Sequence, residues 1–174
     1  MPSRAVMWAL AVGLVAGAGW LWPDVPARVP THFGADGVPD AWSDRSVSSW
    51  FGLPLVGLAL AAVMEWAVWL IRRPGAPGLN LPNEEALRAL PPERQRPVVD
   101  RVARWLYRIG ALTLAGFGLI QGGAWAEAHG ADGSGWVLAG ALGTAVASVL
   151  ALPWMLVDVD AELKRQQAAE GGAA

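Results

Sequence analysis

Four long apolar blocks decide what this chain can fold into. They read "AVMWALAVGLVAGAGWLW" (5–22), "WFGLPLVGLALAAVMEWAVWLI" (50–71), "WLYRIGALTLAGFGLIQGGAWA" (105–126) and "WVLAGALGTAVASVLALPWMLV" (136–157). About 20 helical residues, at 1.5 Å rise each, cross a hydrocarbon core about 30 Å thick. Lipid cannot satisfy open backbone groups, and no alternating barrel pattern is present, so helix is the form each block must take. Only 16% of the residues are charged and 54% are hydrophobic, against about 25% charge in ordinary soluble domains. The expectation is an all-α integral membrane protein with four transmembrane helices.

The spans divide the chain into a membrane domain (1–160), with a first polar loop at 23–49 and a second at 72–104, and a C-terminal tail (161–174). Ten of the eleven tryptophans mark span ends, where the indole ring is buried and its N–H stays wet. Trp8, Trp66, Trp69, Trp105 and Trp154 mark one end; Trp20, Trp22, Trp50, Trp125 and Trp136 mark the other. The segment from Arg72 to Arg104 is rich in arginine, Arg4 precedes span one, and Lys164 with Arg165 follow span four. The positive-inside rule then places both termini and the 72–104 loop in the cytoplasm, and the 23–49 loop outside. The expected location is the cell membrane, with multiple passes. The first block also reads as a signal peptide, but its apolar run continues through Trp20 to Trp22, which favours a retained span.

In the basic loop, "NEEALRAL" predicts a short helix with Asn83 as N-cap and Glu84 and Glu85 in the first turn. A second helix is expected from Pro92 into span three, with a kink at Pro97. Val98, Val102 and Leu106, spaced by four with arginines between them, suggest a helix face lying on the membrane surface. The small residues Gly110, Gly116, Gly118, Gly122, Gly123, Gly140 and Gly143 predict close helix packing.

Few residues suggest chemistry. Glu65 lies at depth in span two, where an ionisable side chain is costly; Arg72 is about 10 Å away along the helix, and a structural carboxylate, snorkelling or paired to arginine, is the favoured reading, ahead of a proton or ion relay. Gln121 is expected to make an interhelix hydrogen bond. Asp158 and Asp160 follow span four and are expected to pair with arginines of the basic loop. The chain contains no Cys, which removes disulfides, thiolate chemistry and Cys-based metal sites. Neither "HExxH", a Walker loop nor "GxSxG" is present, so the expectation is a non-enzyme that needs no cofactor. A net charge of −2 gives no pull toward nucleic acid.

The one elaborate polar stretch is "VPARVPTHFGADGVPDAW", residues 25–42. Pro23, Pro26 and Pro30 impose extended backbone and Gly34 and Gly37 permit turns, while Trp42 offers an aromatic plug. His32, Asp36 and Asp40 recur at intervals of four, but the glycines break any helix that would align them on a metal. A loop stapled by its own side chains is the favoured reading, ahead of a recognition surface and of a metal site.

Pro26, Pro30, Thr31, His32, Phe33, Gly37, Pro39, Asp40 and Trp42 follow the signature L-P-x-x-I-P-x-H-F-x-x-x-G-x-x-D-x-W. In this the chain resembles a bacterial membrane domain of unknown function found at the N-terminus of SdpI-type toxin-immunity proteins. Asn80, Leu81, Pro82 and Asn83, then Pro92, Glu93 and Arg94, are similar to that group's N-[IL]-P-N and P-E-R motifs. The likeness runs over roughly residues 5–125. It departs at Arg45, where many relatives carry Lys. The immunity members have further spans and combine toxin protection with sequestering a repressor at the membrane.

The resemblance implies an outward polar loop fixed on a helix bundle; from that loop's density of constrained and polar residues, the expectation is a non-enzymatic membrane sensor or immunity-like module of the bacterial inner membrane. Its outer loop, through Thr31, His32, Phe33, Asp36, Gly37, Asp40 and Trp42, would recognise an extracellular peptide, toxin or other ligand. The basic loop, with Asn80, Pro82, Asn83, Pro92, Glu93 and Arg94, would dock a cytoplasmic protein, and the chain would sit in the bilayer singly or as a homo-oligomer. The alternative is a small transporter or an accessory subunit of a transport complex, with Glu65 and Gln121 lining a path.

Overall fold

The structure, a computed structural model, describes residues 2–73 and 81–171. Asn80 of the basic-loop motif lies outside them. The element order is α1 (Pro2–Leu21), a 3-10 turn (Trp22–Asp24), β1 (Arg28–Phe33), β2 (Pro39–Asp44), α2 (Val47–Ile71), α3 (Glu84–Ala89), α4 (Pro92–Ala128) and α5 (Ser134–Gly171). Helices α1, α2, α4 and α5 are each long and apolar enough to cross a membrane, at the positions that the four apolar blocks require.

Helix α4 is the hub. Helices α1 and α2 pack on one side of it and α5 on the other. Its glycines set the approach of α5: a Cβ built on Gly116 would meet the Gly140 carbonyl oxygen at 2.8 Å, and one on Gly123 would meet the Gly133 carbonyl oxygen at 2.7 Å. Gly118 and Gly143, by contrast, face open space. Three apolar cores follow the bundle axis. The middle one joins Met7, Ala11, Ala61, Val68, Tyr107 and Leu114 between α1, α2 and α4. At the hairpin end, Ala18, Val25, Val29 and Trp50 close the bundle.

The third core, at the basic end, corrects the membrane-surface reading of α4. Val98 and Val102 are buried with Leu87, Leu90, Val159 and Leu163, and Leu106 packs against the same cluster. Those side chains face α3 and the extension of α5, because burying them against protein removes apolar area that would otherwise meet water beyond the span. The 37-residue α4 is continuous through Pro97. Asn83 occupies the N-cap position of α3 without a side-chain cap bond; its Nδ2 instead donates to Asp158's near neighbour Asp160, at Oδ1, over 2.8 Å.

Exposed indoles form two belts. Trp20 and Trp136 lie at the hairpin end, and Trp66, Trp69 and Trp154 at the basic end. From Trp136 to Trp154 along α5 is about 27 Å at 1.5 Å per residue, close to a hydrocarbon core. Trp50 does not belong to either belt: it is only 2% exposed, and its Nε1 donates to the Ala18 carbonyl at 2.9 Å. The burial follows from its place at the first turn of α2, where the ring plugs the α1–α2 crossing.

Candidate functional site

The segment 25–42 is no irregular loop. It forms an antiparallel hairpin of β1 and β2, with Arg28 opposite Asp44, Val29 opposite Ser43 and Pro30 opposite Trp42, then an irregular register toward the tip. The fold is therefore a helical bundle with a small β cap, and not purely α. The alternation of His, Phe, Asp and Trp around proline and glycine yields strands because proline excludes helix while the flanking positions tolerate extended backbone.

The hairpin lies across one end of the bundle. Its base is held by Arg45, whose Nη1 donates to the Val25 carbonyl at 2.7 Å and whose guanidinium sits 5.3 Å from the Trp22 ring centre. Below it, Ser46 and Ser49 form a capping box that starts α2. Val29 and Pro30 are buried, and β1 packs against α4 and α2. At the tip, Gly37 adopts φ +78° and sits against the first turn of α5, where an added Cβ would meet the Ser134 carbonyl oxygen at 2.6 Å. Only glycine combines that left-handed backbone with such contact.

The side chains expected to carry function divide by role. His32 Nδ1 lies 2.5 Å from Asp40 Oδ1, tying the two strands from the solvent side. Thr31 Oγ1 contacts the Ser43 hydroxyl at 3.4 Å. Asp36 Oδ1 accepts from Val38 N at 3.0 Å and shapes the turn. Phe33 is half-buried opposite Pro39. Trp42 is no plug: it is 37% exposed, on the outer strand β2, whose other residues from Asp40 to Asp44 are exposed as well. Among the described residues no group of three or more His, Asp or Glu is placed to hold a metal ion.

His129, the only other histidine in the sequence, whose spacing from His32 suggests no shared chemistry, has a structural place instead. Both its ring nitrogens lie against carbonyl oxygens, Nδ1 against Trp125 at 2.8 Å and Nε2 against Asp24 at 3.2 Å. It thereby links the end of α4 to the 3-10 turn below the hairpin. Nothing in the spacing of residues 24 and 129 signals this contact. Nearby, Asp132 Oδ1 accepts from the Ser134 hydroxyl at 2.6 Å and from its backbone N–H at 3.0 Å. Those bonds, the hydroxyl's foremost, hold the Asp132 carboxyl below the usual carboxylate range.

In the bundle, Glu65 is paired, but not to Arg72. Its Oε2 accepts from Arg4 Nε at 2.9 Å and Trp8 Nε1 at 3.0 Å, and its Oε1 from Tyr107 OH at 3.3 Å. Arg72 bonds Asp100 on α4 at 2.8 Å. Geometry explains the exchange: α1 brings Arg4 to the level of Glu65, while Arg72 sits at the helix end beside α4. Gln121 makes the interhelix bond expected of it, donating to the Trp50 carbonyl at 3.4 Å.

At the basic end, Arg101 bonds Asp158 at 3.0 Å and Glu162 at 2.7 Å, and Trp105 Nε1 also donates to Asp158 at 2.9 Å. Asp158 thus takes an arginine of the basic loop, whereas Asp160 takes Lys164 at 2.7 Å. Arg94 Nη1 donates to the Gln166 carbonyl at 3.0 Å. Pro92 opens α4, and Pro92, Glu93 and Pro82 are exposed. These bonds join α4 and α5, and Leu87 of α3 shares their apolar core, so the three helices form one folded end.

Four helices long and apolar enough to cross a membrane, capped by a hairpin, define a protein of multi-pass membrane type. Residues 9–58 of the chain match the family model described as a domain of unknown function (DUF1648). That match covers most of α1, the whole hairpin and the first half of α2. No curated protein and no solved structure matches the chain.

Proposed function

We propose that the chain is a non-enzymatic sensor or immunity-like protein of the bacterial cell membrane. Its hairpin faces outward and recognises an extracellular peptide or ligand, and both termini and the basic end lie in the cytoplasm. The observation that carries this reading is the build of the hairpin. Its base and tip are pinned to α1, α2 and α5, while His32, Asp40 and Trp42 remain exposed. A rigid scaffold holding exposed polar and aromatic side chains suits binding, because little ordering entropy remains to be lost on association. The distribution of arginine supports the orientation. The match over 9–58 to a domain of unknown function includes the whole hairpin on which this reading rests. The joined α3–α4–α5 end offers a surface for a cytoplasmic protein partner.

The test is expression in a peptide-sensitive bacterial strain challenged with secreted bacterial peptides. Wild type is expected to raise the inhibitory concentration of at least one of them. A His32→Ala/Asp40→Ala variant, present in the membrane at equal level, should lose that protection. Equal protection by the variant would overturn the assignment.

A further inference from the structure

We infer that the outer edge of β2 receives an extended cationic peptide as a third strand; this deepens the reading of the hairpin as a recognition element and rests on it. Among the described residues the sheet has two strands. Strand β1 packs against α4 and α2, whereas β2 lies on the solvent side of β1, and its residues from Asp40 to Asp44 are all exposed. In a two-stranded ladder, alternate residues of each strand point N–H and C=O away from the partner, so β2 presents a row of such groups to solvent. At one end that row is closed, because Ser49 Oγ donates to the Asp44 carbonyl at 2.9 Å. The open part is the stretch beside Trp42, whose indole supplies an apolar and cation-attracting ring.

Charge selects the occupant. Asp36, Asp40 and Asp44 lie along this strand and its turn, Asp24, Glu127 and Asp132 lie at the same end of the bundle, and only Arg28 and Arg45 oppose them. Arg45 is already committed to the Val25 carbonyl and the Trp22 ring. A second copy of this hairpin, paired edge to edge, would bring its own Asp40 and Asp44 against these carboxylates, and like charges facing across a strand pair are destabilising. An extended peptide with lysine or arginine at alternate positions would bring the opposite charge. It would meet the carboxylates on one face and Trp42 between them, with main-chain bonds for affinity and side chains for specificity.

The experiment uses the full chain in nanodiscs of zwitterionic lipid and a fluorescent decapeptide alternating lysine with valine. Anisotropy is expected to show saturable binding that weakens at high salt. N-methylation of alternate residues, which blocks one hydrogen-bonding edge of the peptide while keeping its charge, should weaken binding at least tenfold. The variant Asp40→Asn/Asp44→Asn should do the same, and a glutamate-valine peptide should not bind. Equal binding of the N-methylated peptide would show a merely electrostatic attachment and overturn strand addition. So would absence of binding, or dimerisation of the chain through β2 in crosslinking at position 42. If peptide protection in cells still depends on His32 and Asp40 while this edge fails, only the strand-addition inference falls. If both fail, the recognition reading falls with it.

Discussion

Replacing Gly37 by alanine should release the hairpin tip from α5. Two costs combine. At φ +78° an L-residue carries a left-handed penalty of about 1–2 kcal/mol. The new Cβ would also lie 2.6 Å from the Ser134 carbonyl oxygen and 2.8 Å from Leu138 Cγ. Leu138 can turn aside, but the Ser134 backbone opens α5 and cannot. Forced overpacking of this kind costs about 1–3 kcal/mol. The sum, about 2–5 kcal/mol, shifts the opening equilibrium of the tip by between about 30-fold and a few thousand-fold at 1.4 kcal/mol per decade. Amide hydrogen exchange in detergent micelles reads this directly, since such openings are local. Amides of β1 and β2 should lose protection in Gly37→Ala, while those at the centre of α2 and α4 keep theirs. Asparagine tolerates the left-handed region better but carries the same Cβ, so Gly37→Asn should fall between wild type and alanine. Wild-type exchange rates across the hairpin in Gly37→Ala would refute the docking of the tip on α5.

Two further outcomes follow from the hydrogen-bond geometry. Glu65→Leu leaves Trp8 and the fully buried Tyr107 without their acceptor; at about 1–3 kcal/mol for these donors, and about 2–4 °C per kcal/mol for a chain this size, the thermal midpoint in detergent should drop by roughly 2–12 °C. Glu65→Gln, which keeps an acceptor, should drop less, and proteoliposomes carrying it should show the same ion flux as wild type; a selective loss of flux would favour transport. Asp132 has a carboxyl held low in the folded state, so its contribution is present above the ordinary carboxylate range and is lost as pH falls through its lowered folded value. Exchange of the Ser134 amide should therefore rise on acidification, beyond the intrinsic pH effect, in wild type and not in Asp132→Asn.

Much of the bundle was legible because lipid-facing helices obey a length rule that needs no partner. The Trp belts and the arginine-rich end were equally open to reading, since both depend on a residue's preference for an interface and not on its neighbours. The hairpin was not. An isolated two-stranded hairpin is marginal in water, and this one rests on Val29 buried at the bundle end and Gly37 against Ser134. Those contacts join distant parts of the chain. Glu65 does pair with an arginine, but which one is decided the same way: Arg72 is nearest along the helix, and Arg4 is nearest in space.

The order of apolar and polar stretches along the chain was enough to set the number of spans and where each crosses, because the hydrophobic effect and backbone hydrogen bonding act locally on each segment; it did not set the end of α5, which runs on to Gly171 through the expected tail, with Leu163 buried against α4. Which side chains stand in solvent and which are enclosed was decided only by the assembled fold. Trp42 is exposed and Trp50 enclosed, although both are tryptophans of one polar stretch and its border, because β2 lies on the outside of the cap and the start of α2 lies beneath it. Burial is a property of what packs above a residue, and that neighbour is supplied from elsewhere in the chain.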